Sequence, residues 1–180
     1  PVGKTGAYTI PAGITAIADS AFEDCVNITE IVIPNFVLTI GERAFYGCSG
    51  LVKATFQGGG LADLELSERA FYDSGLKEVV FEEGSRVTAI GDYTFANCKS
   101  LESFTIPKSM QTVGENAFYK CESLATLSFE EGGAGVSFGS GAFSNCTALT
   151  SVYLPASVTE LSFSVFDGCS NLAGVYVDEN

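Results

Sequence analysis

The stretch Ala44-Phe45-Tyr46-Gly47-Cys48 contains the motif Ala-Phe-x-x-Cys, which recurs along almost the whole chain. Other full copies lie at Ala21–Cys25, Ala117–Cys121 and Ala142–Cys146. Degenerate copies lie at Ala70–Ser74, Thr94–Cys98 and Val165–Cys169. The phenylalanines of successive copies are separated by 23, 26, 24, 23, 25 and 23 residues. A fixed period of this length predicts a solenoid, in which each repeat buries its apolar side against its neighbours.

Two apolar segments accompany the motif in each repeat. The first alternates apolar and polar residues, as in Phe104-Thr105-Ile106-Pro107, and predicts a strand with one buried face that ends at the proline. The second is an apolar pair such as Val37 and Ile40, and predicts a short extended segment on the opposite side of the coil. The Ala-Phe-x-x-Cys motif predicts a single helical or 3-10 turn, because its spacing places Phe and Cys on one face. The sequence therefore predicts a repeat solenoid of mainly short parallel β-strands, roughly 35 Å long at about 4.8 Å per turn.

The composition excludes several classes of protein. Of the 180 residues, 46% are apolar and 17% are charged, which is not the composition of a disordered chain. No apolar run reaches the roughly 20 residues that a membrane-spanning helix needs. The 9 basic and 22 acidic residues give a formal charge of −13, which repels phosphate backbones and anionic lipids. We therefore expect no nucleic-acid binding and no membrane insertion, whereas weak cation binding or a basic partner stays open.

The repeat pattern resembles the BspA-type leucine-rich repeats, the treponemal subclass of bacterial and some protozoan surface proteins. The resemblance covers the chain from Ala7 to Val177. It implies a leucine-rich-repeat right-handed superhelix, an extracellular or cell-surface location in a bacterium, and adhesion to host or extracellular-matrix proteins. It assigns no ligand-contacting residue, because the matched positions are all core positions.

Residues 1–180 are expected to form a single array of about seven repeats of 23–26 residues. The chain begins with a half-repeat, Tyr8-Thr9-Ile10-Pro11, and stops just after the strand Val175-Tyr176-Val177. Natural solenoids carry polar caps at their ends, so we interpret the array as a fragment of a longer protein.

The six cysteines are expected to be free and buried rather than paired. All occupy the same position of the repeat, and Ser74 fills that position in one copy, which indicates a requirement for a small side chain. Stacked positions lie about 4.8 Å apart with parallel side chains, whereas a disulfide needs converging Cβ atoms about 3.8 Å apart. A zinc site is not indicated either, since the chain has no histidine and no Cys-x-x-Cys pair.

Three segments after the main strand are longer than in the other repeats, and they explain the longer spacings. They are Gln57–Gly60, Phe81–Gly84 and Phe129–Gly132. Inserted loops of a solenoid collect on one edge, where they are either tolerated surface loops or binding loops. The acid pairs Glu82-Glu83, Glu130-Glu131 and Asp178-Glu179 lie on this edge, and we interpret them as a solvated charged edge. One pair with nearby carbonyls would hold a calcium ion only weakly.

The sequence does not indicate a catalytic site or a cofactor site. The chain has no histidine to act as a base near neutral pH and no nucleophile elbow. Its glycine-rich segments, including Gly132-Gly133-Ala134-Gly135, neither continue into Gly-Lys-Ser/Thr nor open a long helix, so they are not phosphate loops. We therefore expect no enzyme activity, no cofactor and no structural metal.

The outward positions of the main strands are the candidate binding face. The middle outward position is occupied by Thr9, Val32, Thr55, Val80, Thr105, Ser128, Tyr153 and Tyr176. We assign the binding face to Tyr153, Tyr176, Val32, Val80 and Thr105, with the two tyrosines stacked on neighbouring turns. A second set of tyrosines, Tyr46, Tyr72 and Tyr119, follows the repeat phenylalanines and is expected to be exposed. Either set forms a recognition surface or stabilises the stack of repeats.

The sequence favours a non-enzymatic surface module that binds a protein ligand, because a solenoid presents one long face on which many modest contacts add up. Two alternatives stay open. The chain is a structural spacer that presents another domain, or it binds carbohydrate through Tyr153 and Tyr176. The carbohydrate alternative requires the two rings to be coplanar and exposed beside carboxylates or amides. The oligomeric state is not indicated.

Overall fold

A computed structural model describes residues 4–177 and shows a parallel β-solenoid of about seven turns. Each turn begins with a main strand of four to six residues. These strands are β1 (Gly6–Thr9), β3 (Ile28–Ile33), β5 (Lys53–Phe56), β7 (Glu78–Phe81), β9 (Ser103–Ile106), β11 (Thr126–Phe129), β13 (Ser151–Leu154) and β15 (Gly174–Val177). The predicted solenoid and its predicted main strands are confirmed.

A second strand of two to four residues lies on the opposite side of each turn, and the spaced apolar pairs predict five of these seven strands. These strands are β2 (Ala16–Ile17), β4 (Thr39–Ile40), β6 (Leu64–Leu66), β8 (Val87–Ile90), β10 (Thr112–Val113), β12 (Val136–Phe138) and β14 (Val158–Leu161). All seven pair in parallel and form one uninterrupted sheet, in the order β2 to β14. The main strands, by contrast, divide into a four-stranded sheet from β1 to β7 and two pairs, β9 with β11 and β13 with β15.

The Ala-Phe-x-x-Cys motif forms the corner between the two strand series. Its backbone hydrogen bonds run from the amide of residue i+3 to the carbonyl of residue i, as in a 3-10 turn. The amide of Tyr46 donates to the carbonyl of Arg43 at 3.0 Å, and the amide of Leu51 donates to the carbonyl of Cys48 at 3.0 Å. Two left-handed residues, Arg43 with φ 56° and Gly47 with φ 66°, prevent these turns from continuing as a helix. Within residues 4–177 the chain consequently contains strands and turns and no helix.

The core is a column of stacked phenylalanine rings from the corner motif. Phe45 and Phe71 stack with ring centroids 4.8 Å apart, and Phe118 and Phe143 stack at 4.9 Å. The corner also forms its own hydrogen-bond ladder, in which the amide of Phe45 donates to the carbonyl of Ala70 in the next turn at 2.7 Å. This close approach explains the small, fully buried alanine beside Phe45, Phe71, Phe118 and Phe143.

Candidate binding face

The predicted outward row is in register wherever the main strands pair. Thr9 lies opposite Val32, Val32 opposite Thr55, and Thr55 opposite Val80. Further along, Thr105 lies opposite Ser128, and Tyr153 lies opposite Tyr176. The row is thus divided into the same three segments as the sheet, with breaks between β7 and β9 and between β11 and β13.

Tyr153 and Tyr176 are the most exposed aromatic side chains of this row, with 63% and 50% of their surface accessible. Their rings stack face to face, with centroids 4.9 Å apart and planes inclined by 18°. The Tyr176 ring also lies across Gly174, where a Cβ atom would stand 2.9 Å from the ring atom Cζ. Gly174 therefore provides the space in which this ring lies flat on its strand.

The stacked geometry does not match the carbohydrate alternative. That alternative requires two coplanar rings that form one flat platform, whereas Tyr153 and Tyr176 cover each other's faces. The outward neighbours on these strands are Ser151 and Gly174 rather than carboxylates or amides.

The remaining residues of the predicted face differ in their surroundings. Val32 and Val80 are half-buried and lie on the four-stranded sheet, apart from the tyrosines. Thr105 is exposed, and its hydroxyl lies 2.9 Å from that of Ser128. The structure therefore brings Thr105 and Ser128 together, and it brings Tyr153 and Tyr176 together. It places Val80 and Thr105 on opposite sides of one groove at the break between β7 and β9, and it separates the tyrosines from both valines.

The outward positions of the last four main strands carry no charge, which the sequence analysis did not identify. We call this surface the hydroxyl–tyrosine face, and it consists of Ser103, Thr105, Thr126, Ser128, Ser151, Tyr153, Gly174 and Tyr176. The corresponding positions on earlier strands include Glu30, Lys53 and Glu78, and the Lys53 ammonium lies 3.0 Å from the Glu78 carboxylate. The signal in the sequence is the alternation of hydroxyl and apolar residues in these strands.

The second set of tyrosines stabilises the corner. Tyr46, Tyr72 and Tyr119 are half-buried, not exposed as expected from the sequence. Tyr46 and Tyr72 stack with centroids 5.1 Å apart and planes inclined by 4°. The hydroxyl of Tyr72 accepts a hydrogen bond from the Asn97 amide at 2.8 Å, and the guanidinium of Arg43 lies 4.3 Å from the Tyr46 ring centroid. These contacts use ring faces and polar atoms that a recognition surface would leave available.

The six cysteines are free, as predicted, and five of them are buried. Their thiols have a hydrogen-bonding role that the sequence analysis missed. Cys98 donates to the carbonyl of Phe71 in the preceding turn at 3.2 Å, and Cys121 donates to that of Phe95 at 3.1 Å. Burial raises the pKa of Cys98 to about 12, so this thiol stays protonated and unreactive at neutral pH.

The acid pairs on the loop edge bind backbone amides of the preceding turn. A Glu82 oxygen accepts from the amide of Gly58 at 3.4 Å, and a Glu130 oxygen accepts from that of Lys108 at 3.0 Å. Asp178-Glu179 lies outside the described residues. Among residues 4–177 no group of three acidic or cysteine side chains is close enough to hold a metal ion. In the same part of the chain, no helix is long and apolar enough to cross a membrane.

Comparison with known proteins places this geometry in a family. The model of the BspA-type leucine-rich repeat region matches residues 4–65 and 64–180 with six copies. Among curated proteins, none matches the chain significantly.

Solved structures with the same fold include bacterial surface proteins. A leucine-rich cell surface protein from Faecalibacterium prausnitzii is 26% identical over 98% of this chain and 48% of its own, with a TM-score of 0.73. The pneumococcal vaccine antigen PcpA is 25% identical over 99% of this chain and 42% of its own, with a TM-score of 0.66. A leucine-rich repeat protein of T. pallidum is 30% identical over 97% of this chain and 70% of its own, with a TM-score of 0.58.

The chain thus spans less than half the length of the first two of these proteins. The family match and the repeat geometry agree over the described residues, and the chain belongs to the BspA-type leucine-rich repeat family.

Proposed function

We propose that residues 1–180 form one non-enzymatic array that binds a protein ligand at the surface of a bacterium, and that the hydroxyl–tyrosine face makes the contact. The observation that carries this proposal is the composition of that face. It presents two exposed tyrosines among serine, threonine and glycine, in a molecule with a formal charge of −13. Antibody paratopes use the same residues, because tyrosine offers large contact area at low entropic cost and short hydroxyl side chains adapt their hydrogen bonds.

The rigidity of the face also supports recognition of a protein. The Tyr153 and Tyr176 rings are held by each other and by Gly174, so little side-chain freedom is lost when a partner covers them. The serine and threonine side chains around them stand on paired strands, whose spacing is fixed by backbone hydrogen bonds. A partner with a flat surface would therefore meet a preformed patch.

A host or extracellular-matrix protein is the ligand we propose, at the surface of the bacterium and outside the cytoplasm. The proposal draws on the similar proteins, one of which is a cell surface protein and another a vaccine antigen. The negative charge makes nucleic acid an unfavourable partner.

Surface-plasmon binding to immobilised fibronectin, fibrinogen and laminin over a salt series tests the proposal. We expect saturable binding that is lost in the double variant Tyr153→Ala/Tyr176→Ala. The control is Tyr46→Ala/Tyr72→Ala, which removes another stacked tyrosine pair from a different face. Binding that both variants lose equally, or no binding by folded protein, would contradict the proposal and favour a structural spacer.

A further inference from the structure

The break between β7 and β9 coincides with a proline that removes one hydrogen-bond donor. Where two main strands pair, the carbonyl of the last residue of one strand accepts a hydrogen bond. Its donor is the backbone amide of the residue just after the neighbouring main strand. The carbonyl of Phe56 accepts from Glu82 at 3.0 Å, and that of Ile106 accepts from Glu130 at 2.9 Å. By the same register the carbonyl of Phe81 faces Pro107, which has no N–H. The carbonyl oxygen of Phe81 therefore accepts no hydrogen bond from the neighbouring main strand.

An open groove lies at this break on the outward side of the strands. Val79, Val80 and Phe81 form one wall, Ser103 and Thr105 form the other, and carboxylates of Glu78 and Glu130 contribute to its lining. We call it the Val80 groove. Its apolar wall and its carboxylates match the two parts of a lysine side chain, which buries a four-carbon stem and keeps its ammonium among polar atoms.

The Glu130 carboxylate is held in place for such a contact. Its Oε2 atom accepts a hydrogen bond from the backbone amide of Lys108 at 3.0 Å. Within residues 4–177 its other oxygen makes no hydrogen bond or ion pair. Glu78 differs, because its carboxylate is already paired with Lys53 at 3.0 Å. The carboxylate of Glu130, near the end of the strand where the Phe81 carbonyl is also unpaired, is thus the acceptor best placed for an incoming ammonium.

We propose that the Val80 groove is a subsite for a lysine side chain of the protein ligand. The proposal rests on the proposed function and deepens it, because it assigns basic chemistry to the partner. The lysine stem packs on Val80 and Phe81, and its ammonium donates to the Glu130 carboxylate and the Phe81 carbonyl. The formal charge of −13 attracts a basic segment over long range, and the groove then fixes where one of its lysines binds.

NMR titration of the isotope-labelled chain with the peptide acetyl-Gly-Gly-Lys-Gly-Gly-amide tests the subsite directly. We expect chemical-shift changes centred on the amides of Val80, Phe81 and Thr105. The same peptide with norleucine in place of lysine keeps the stem and loses the charge, and it should cause much smaller changes at these amides. Changes that spread over the acidic loop edge, equal changes with norleucine, or none at all would overturn the proposal.

Two charge-matched variants separate the subsite from general electrostatic attraction. Glu130→Gln should weaken the lysine peptide about threefold or more, as expected for loss of one ion pair at a partly exposed site. Glu131→Gln removes the neighbouring exposed carboxylate, which does not line the groove, and should leave affinity unchanged. Equal weakening by both variants would contradict the proposal. Thermal unfolding of each variant verifies that the fold is retained.

The two proposals fail separately. If matrix proteins bind and depend on Tyr153 and Tyr176 while the lysine peptide does not bind, only the subsite is wrong. If the lysine peptide binds in the Val80 groove but no matrix protein binds, the subsite stands and the proposed ligand class is wrong.

Discussion

At the scale of single residues, the cysteine column shows why this position is not simply alanine. The thiol of Cys146 donates to the carbonyl of Phe118 at 3.2 Å, and that of Cys169 donates to Phe143 at 3.1 Å. Five of the corners therefore have a small side chain that also supplies a weak donor to a phenylalanine carbonyl of the preceding turn. Where Ser74 replaces cysteine, its hydroxyl lies 3.2 Å from the thiol of Cys98.

Replacing Cys98 by charged or neutral residues should separate the two requirements of this position. Cys98→Asp buries a carboxylate without a counter-ion and should lower the free energy of unfolding by about 3 kcal/mol or more. Cys98→Ser keeps size and donor and should cost about 1 kcal/mol or less. Urea denaturation measures both. Cys25→Asp, at a half-buried position of the first corner, should cost less than Cys98→Asp, and equal costs would argue against the buried column.

Alkaline pH should destabilise the folded chain through its buried thiols. Burial raises the pKa of Cys48 and of Cys98 from 9.0 to about 12, and that of Cys169 from 9.0 to about 11. Above pH 9.0 the unfolded chain loses thiol protons that the folded chain keeps, so stability is present below that pH and is lost as pH rises towards about 12.

Urea denaturation across this pH window measures the effect. A triple variant with serine at positions 48, 98 and 169 should have a smaller loss of stability, which assigns the effect to these three thiols. The prediction is wrong if both chains lose stability equally.

In denaturant at neutral pH, all six thiols should react with a thiol reagent, since the sequence has six cysteines and we assign none to a disulfide.

At the scale of elements, each turn is held to its neighbours by two strand ladders and one corner ladder. The second strands and the corners are continuous along the array, whereas the main strands separate twice. At both separations, the strand before the break is followed by Glu-Glu-Gly. The strand after the break is followed by a proline, Pro107 at the first break and Pro155 at the second. Pro34 follows β3 in the same way, but β1 and β3 stay paired, because the amide of Ile10 donates to the carbonyl of Val32. Proline therefore removes one donor, and the neighbouring loop decides whether the pairing is lost.

Supplying the missing donor should close the first break. We expect Pro107→Gln to form a hydrogen bond from its new amide to the carbonyl of Phe81, because Gln57 makes the equivalent bond to Ile33 at 3.0 Å. Hydrogen exchange measured by NMR should then show a protected amide at position 107, comparable to that of Gln57. Exchange at the rate of a free peptide would show that the break has another cause. If the strands close, the Val80 groove narrows and the lysine peptide should bind more weakly.

The elements that depend on local periodicity could be predicted from the sequence, whereas those that depend on the packing of neighbouring turns could not. Alternation in segments such as Phe104–Ile106 gives the main strands, their outward row and the position of Tyr153. The left-handed Arg43 was not predicted, because a non-glycine residue seldom adopts positive φ. The half-burial of Tyr46 follows from that corner geometry. The Val80 groove depends on which residue of the neighbouring turn faces Pro107.

At the scale of the whole molecule, charge and exposed aromatic surface are separated. The 22 acidic residues leave the outward positions of β9, β11, β13 and β15 uncharged. In the proposed interaction, the field of the whole molecule attracts a basic partner, which contacts this neutral patch with the Val80 groove beside it. Attraction at long range affects the association rate and falls with salt, whereas contacts at the tyrosines affect dissociation.

The same excess of negative charge should make the stability of the free molecule depend on salt in a defined direction. Five ion pairs join charged groups among the described residues, and their side chains are 25–59% exposed, so salt that weakens them removes little stability. Repulsion within a molecule of charge −13 is screened by the same salt, and this gain is the larger effect.

We expect sodium chloride at about 0.5 M to raise the Tm at pH 7 by about 2–4 °C, which corresponds to about 1 kcal/mol. Near the isoelectric point of about 4.2, where the net charge vanishes, the same salt should leave the Tm unchanged or lower it. A Tm that falls with salt at pH 7 would show that the ion pairs between turns outweigh the repulsion.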